Sequence, residues 1–219
     1  DGTLTDTSTL WFEPTILVLD ELIKRNGMKL SNIEHDELFD LLGITETDII
    51  ENSVIASGTV RDMLEVLNEI RSIDIEENYN FVVHYFADYI LSHPEKIHTL
   101  GNVERALGNL REKGYIIALV TNDSRLPAEA VLKVAGIGEL FDFVGTTDEF
   151  PSKPATDSLY AIQSKFGVSF DEMIYIGDST VDEDFAKNTA GFIAVTSEPN
   201  NPEVLPSAIF KVKSIDELS

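Results

Sequence analysis

The stretch MIYIGDSTVDEDFAKNTAGFIAVT, residues 173–196, decides the fold class. Met173–Gly177 is a short apolar run of strand length, 181–190 has helical character, and Phe192–Thr196 is a second short apolar run. Two buried strands with a helix between them predict parallel pairing, because parallel strands need a crossover of a dozen or more residues. Ligands in such sheets collect at the carboxyl ends of the strands. Gly177-Asp178 falls at that edge, with Asp182 four residues on.

Working outward, the alternation continues upstream. Tyr115–Thr121 and Phe141–Gly145 are strand-like, and 127–135 and 156–166 are helical. Before them, residues 13–113 read as almost all helix. Pro14 suits a first helical turn, with Ile16, Leu17, Leu19, Leu22 and Ile23 following before Gly27. Ser31 with Glu34 is a capping box opening a helix that ends near Gly43. Thr45 with Asp48 and Thr59 with Asp62 predict two further helix starts, and 81–91 and 102–113 complete the set. The expected architecture is α/β: a Rossmann-like parallel sheet core flanked by helices, carrying an all-helical insertion near its start. The predicted core domain is 1–7 with 100–219, and the predicted helical domain is 8–99.

The 219-residue chain is 43% apolar, enough for a packed interior. It has no apolar run of about 18 residues, so no membrane-spanning helix is predicted. A formal charge of -23 repels phosphodiester backbones and anionic membrane surfaces, which argues against nucleic-acid or membrane partners. The same field repels a phosphorylated metabolite, so a phosphate site here must carry its own positive charge. Absence of cysteine excludes disulfides, thiolate catalysis and a zinc–cysteine site, and fits a cytoplasmic location.

Four separated segments place chemistry at strand ends. They are Asp1-Gly2-Thr3-Leu4-Thr5-Asp6-Thr7, Ala118-Leu119-Val120-Thr121-Asn122, Lys153-Pro154-Ala155-Thr156-Asp157 and Ile176-Gly177-Asp178-Ser179-Thr180-Val181-Asp182. Together they offer a small hydroxyl, an amide, one lysine and a carboxylate group. Carboxylates without histidine or cysteine suit Mg²⁺, a hard cation that prefers oxygen ligands and keeps several waters. The hydroxyl, amide and lysine suit the oxygens of a phosphoryl group. Each segment alone also has an ordinary structural reading as a turn, a cap or a surface lysine.

In order and wording the four segments resemble the haloacid dehalogenase superfamily, whose first motif reads Asp-x-Asp-Gly-Thr-Leu and whose last reads Gly-Asp-x-x-x-Asp. Leu100-Gly101-Asn102-Val103 is also similar to the segment by which members return from an inserted cap. The resemblance implies a Mg²⁺-dependent phosphatase. Asp1 matches the general acid–base aspartate, whose carbonyl also binds metal, and the nucleophilic aspartate would stand two positions before it. Thr121 and Asn122 match the phosphate-binding pair, and Lys153 the lysine that neutralises phosphate and nucleophile. Asp178 matches a metal ligand, and Asp182 a carboxylate that holds or orients metal waters. The interval from Asp182 to Gly191 is one residue longer than the commonest family spacing, so Glu183 or Asp184 could share that duty.

The implied reaction is attack of a carboxylate on phosphorus, then hydrolysis of the aspartyl-phosphate by water. The implied partner is a small phosphorylated metabolite; acid, sugar and nucleotide all stay open, as does the oligomeric state. Trp11, Arg61, His84 and Tyr85 are candidate cap contacts. Two alternatives stand beside the phosphatase: a non-catalytic binding or regulatory protein of this fold, and a sugar-phosphate mutase. Mutases of this type usually carry a histidine in the segment after the first motif, where this chain has Ser8-Thr9-Leu10-Trp11-Phe12. A strand and an aspartate are also expected before Asp1, with a strand-wide gap between the strands at 115–121 and 173–177.

Overall fold

A computed structural model describes residues 2–218; Asp1 and Ser219 lie outside the described residues. Two compact units are present.

The α/β unit comprises 1–6, 98–122 and 135–219. Its strands are β1 (Ala118–Val120), β2 (Phe143–Gly145), β3 (Ile174–Gly177), β4 (Gly191–Val195) and β5 (Phe210–Val212). Helices α6 (Val103–Glu112), α8 (Asp157–Phe166) and α9 (Thr180–Ala186) belong to the same unit. All described strand pairing is parallel, in two sheets ordered β1-β2 and β3-β4-β5. β5 was not among the expected strands. Its sequence, Phe210-Lys211-Val212, is too short to carry a period.

The expected separation of β1 from β3 is present. A cavity of about 200 Å³ lies between them, lined by Ala118, Val120, Ile174 and Ile176 among others. The two chain crossings out of this unit run side by side. Thr5 and Thr99 form an antiparallel bridge, Asp6 N–H donates to the His98 carbonyl at 2.9 Å, and Leu100 N–H donates to the Leu4 carbonyl at 2.8 Å.

The helical unit comprises 7–97 and 123–134. Its helices are α1 (Thr7–Arg25), α2 (Asn32–Leu42), α3 (Val54–Ser57), α4 (Val60–Ile70), α5 (Ile75–Ser92) and most of α7 (Arg125–Ala135). Helical spacing puts Val18, Leu19 and Leu22 in one core with Leu38, Leu42, Leu64, Leu67, Val82, Phe86 and Ile90. The capping box at Ser31/Glu34 forms as expected, and the helix start expected at Thr59/Asp62 is a capping box too.

Three expectations are corrected here. Pro14 lies inside α1, which starts at Thr7, so that helix runs through a residue lacking the N–H for the Leu10 carbonyl. Thr45 and Asp48 start no helix. Thr45 Oγ1 instead accepts from Asp48 N–H at 2.9 Å, closing a turn that lets Ile44 bridge Ile49. This is the competition by which short polar side chains favour turns. Finally, the partition differs at α7, placed with the core by its position between two strands. Ala130 and Val131 pack into the helical unit's core, and Tyr79 Oη meets Ser124 Oγ at 2.9 Å.

Candidate active site

β3 is followed by the tight start of α9, and Gly177 is what allows it. A Cβ on Gly177 would lie 2.4 Å from the Cβ of Asp182. Ser179 caps α9 by a reciprocal capping box: Asp182 N–H donates to Ser179 Oγ at 3.2 Å, and Ser179 N–H donates to Asp182 Oδ2 at 3.0 Å. Oδ2 also accepts from Ser179 Oγ at 2.8 Å and from Asp178 N–H at 3.1 Å. The other oxygen, Oδ1, accepts from Lys153 Nζ at 2.6 Å and from Tyr175 Oη at 3.0 Å. Burial works against the Asp182 charge, but Lys153 and the Ser179 donors outweigh it and hold the carboxyl at about 2.

Lys153 is thereby drawn into the unit, its side chain only 13% exposed. Burial lowers the affinity of an ammonium for its proton; here Tyr175 and Asp182 reverse the sign and Lys153 stays charged. Its backbone is fixed as well, since Lys153 N–H donates to Asn122 Oδ1 at 2.8 Å. Asn122 follows Thr121, whose N–H donates to the Gly145 carbonyl at 3.0 Å and so continues the β1-β2 ladder.

Asp178 stands differently. Its Oδ1 accepts from Thr3 Oγ1 at 2.5 Å, and burial together with the neighbouring Asp182 pushes its carboxyl up to about 6. Gly2 lies against it with φ +70; an added Cβ would sit 1.9 Å from Asp178 Oδ2. Glycine is required there twice over, for the left-handed backbone and for the approach.

The cavity between β1 and β3 touches Thr3, Thr121, Lys153, Asp178 and Asp182 together. The cavity thus brings Thr121, which follows β1, beside Asp178, which follows β3, with Lys153 and Asp182. Asp1 lies outside the described residues, so its two expected roles have no structural account. Both oxygens of Asp182 accept from protein donors, Lys153 and Tyr175 at Oδ1 and Ser179 and Asp178 at Oδ2. Glu183 and Asp184 are not among the residues lining the cavity. Glu183 Oε1 accepts from Ser207 N–H at 2.7 Å, and Asp184 pairs with Lys187 at 2.5 Å.

Among the described residues no group of three or more acidic, histidine or cysteine side chains is placed to hold a metal. Asp178 by itself does fit a hard cation, being a half-buried carboxylate whose charge is disfavoured by its surroundings.

Of the four candidate cap contacts, Trp11 is core, edge-on to Phe86 at 5.0 Å. Arg61 pairs with Glu76 at 2.7 Å, His84 Nδ1 meets its own helix at the Asn80 carbonyl, and Tyr85 packs on Phe81. The sequence reading missed Tyr175. Its only signal is a polar-tipped residue in an otherwise aliphatic strand.

Residues 1–195 match the family model described as haloacid dehalogenase-like hydrolase. The chain belongs to that family. A phosphoglycolate phosphatase of Haemophilus influenzae (strain 86-028NP) is 32% identical over 119 residues, 54% of this chain and 50% of that protein. The chain thus spans about half the length of the curated relatives it matches. Among solved structures, CbbY of Rhodobacter sphaeroides in complex with phosphate aligns over 100% of this chain and 93% of its own, with TM-score 0.71 and 17% identity. β-Phosphoglucomutase of Clostridium difficile aligns over 100% and 90%, with TM-score 0.67 and 20% identity. At these identities the structures attest to the haloacid dehalogenase-like fold. The described helices contain none long and apolar enough to cross a membrane.

Proposed function

We propose that this haloacid dehalogenase-like chain carries the active site of a Mg²⁺-dependent phosphoric monoester hydrolase acting on a small phosphorylated metabolite. One observation carries the reading. In a chain of net charge -23, a buried lysine is held charged on a cavity it shares with Thr121 and Asp178. A local cation inside an acidic protein is what an anionic phosphoryl group needs.

On this reading Lys153 and the Thr121 hydroxyl bind phosphoryl oxygens, and Asn122 fixes the lysine backbone. Asp182 aims the ammonium. Asp178 would hold Mg²⁺, together with Asp1 if the first motif keeps its family role; when bound, the cation offsets charge on the phosphoryl oxygens. If the first motif keeps its family form, the nucleophile would be the carboxylate of an aspartate two positions before Asp1. Its oxygen would bond to phosphorus as the ester P–O bond breaks, and the leaving oxygen would take the carboxyl proton of Asp1, the acid–base residue that the resemblance implies. Water then cleaves the aspartyl-phosphate, releasing inorganic phosphate and restoring the carboxylate.

The solved mutase shares the fold, but residues 8–12 lack the histidine usual in such mutases, which favours hydrolysis. The native protein is expected to hydrolyse a generic aryl phosphate in Mg²⁺ and to stop after exhaustive chelation. Undiminished turnover without metal would sink the cation assignment. Binding of phosphate with no turnover under any metal would favour a non-catalytic binding protein.

A further inference from the structure

We propose that Tyr175 is a positioning residue that holds the Lys153 ammonium from a second side and so sets the direction of its remaining proton toward the phosphoryl group. The inference rests on the reading of Lys153 as the phosphoryl-charge partner.

The Tyr175 ring has little freedom. It lies edge-on to Phe185 at 4.8 Å, and Phe185 is fully buried. It also packs against the cluster of Ala186, Phe192 and Ala194. Its hydroxyl oxygen is 3.1 Å from Lys153 Nζ and 3.0 Å from Asp182 Oδ1. An ammonium can only donate, so the hydroxyl accepts from Lys153 and gives its own proton to the carboxylate. With the Lys153–Asp182 contact of 2.6 Å, the three polar atoms close a triangle.

Two of the three ammonium protons are then committed, one to Asp182 and one to Tyr175. A single contact to Asp182 Oδ1 would leave the ammonium free to swing on its flexible four-carbon stem. The second contact removes that freedom before substrate arrives, which is the condition for electrostatic preorganisation. Tyr175 Oη also reaches the Val120 carbonyl at 3.5 Å, next to Thr121. The competing account is a core tyrosine whose hydroxyl takes whatever partners burial offers.

Tyr175→Phe separates the two, because it keeps the ring and removes one oxygen. The native protein, Tyr175→Phe and Lys153→Ala would be compared by aryl phosphate kinetics and by the ¹H–¹⁵N signal of the lysine ammonium. That signal is assigned as the one absent from Lys153→Ala. The expected result is near-native folding, a fall of about 10- to 100-fold in kcat/KM borne by kcat, and a shifted, broadened Lys153 signal. A silent Tyr175→Phe, in kinetics and in the signal, beside a dead Lys153→Ala would overturn the proposal, since Asp182 alone would then hold the lysine. Full turnover by Lys153→Ala would be a different failure, that of the lysine's own role. Should Tyr175→Phe not fold, 3-fluorotyrosine at 175 gives a ¹⁹F resonance that must move on Lys153→Met. No movement would again overturn the contact.

Discussion

Lys153→Ala is expected to lower kcat/KM by more than about 30-fold, which is about 2 kcal/mol of transition-state stabilisation. It is also expected to destabilise the fold, and the two losses have different causes. Catalysis falls because an acidic chain loses the cation it presents to the phosphoryl group. Stability falls because Asp182, with a side chain only 6% exposed, keeps its negative charge after its counter-charge has gone. Breaking a buried pair from one side costs about 3–5 kcal/mol, whereas replacing both partners is often close to neutral.

A double variant therefore tells the causes apart. Lys153→Met with Asp182→Asn removes both charges, and asparagine still offers an oxygen to Ser179 N–H and Asp178 N–H. It should recover most of the lost stability in urea melts and none of the lost turnover. Recovery of turnover along with stability would mean that Lys153 only holds the structure up.

The α/β class and the edge that bears the motifs were legible because each rests on local chemistry. Short apolar runs separated by helices admit few arrangements, and Thr121 and Asp178 follow directly on the ends of two of those runs. The misreadings share a cause in contacts between residues distant in sequence. Thr45 with Asp48 carries the same local cue as Thr59 with Asp62, yet only the second is followed by an apolar stripe, Met63, Leu64 and Leu67, that a core can bury. The position of α7 between two strands said nothing of Ala130 and Val131, whose partners lie far upstream. For Asp182 the family resemblance implies a carboxylate that holds or orients metal waters, and the sequence carries no sign of its hydrogen-bond partners. Its commitment to Lys153, 29 residues away, and to Tyr175 is a fact of side-chain placement. The i,i+4 interval between Asp178 and Asp182 puts both at one edge without saying which cation each one meets.

Asp178→Asn should separate the two carboxylates by opposite effects on stability with and without metal. In the metal-free protein the half-buried Asp178 charge lies beside Asp182, and burial and that repulsion outweigh the help it gets from Lys153. Asparagine is nearly isosteric, still accepts from Thr3 Oγ1, and removes that repulsion. The metal-free variant is therefore expected to melt a few degrees above the metal-free native protein. Adding Mg²⁺ should stabilise the native protein through mass action, because the ion binds only the folded state. The variant should gain little, having lost an anionic oxygen that a small, strongly hydrated cation requires. The melting order of the two proteins should then invert as Mg²⁺ is titrated, with turnover abolished in the variant throughout. Equal Mg²⁺ stabilisation of both would remove Asp178 from the metal site. A metal-free variant less stable than the native protein would show that the Asp178 carboxylate is already balanced by groups of the protein itself.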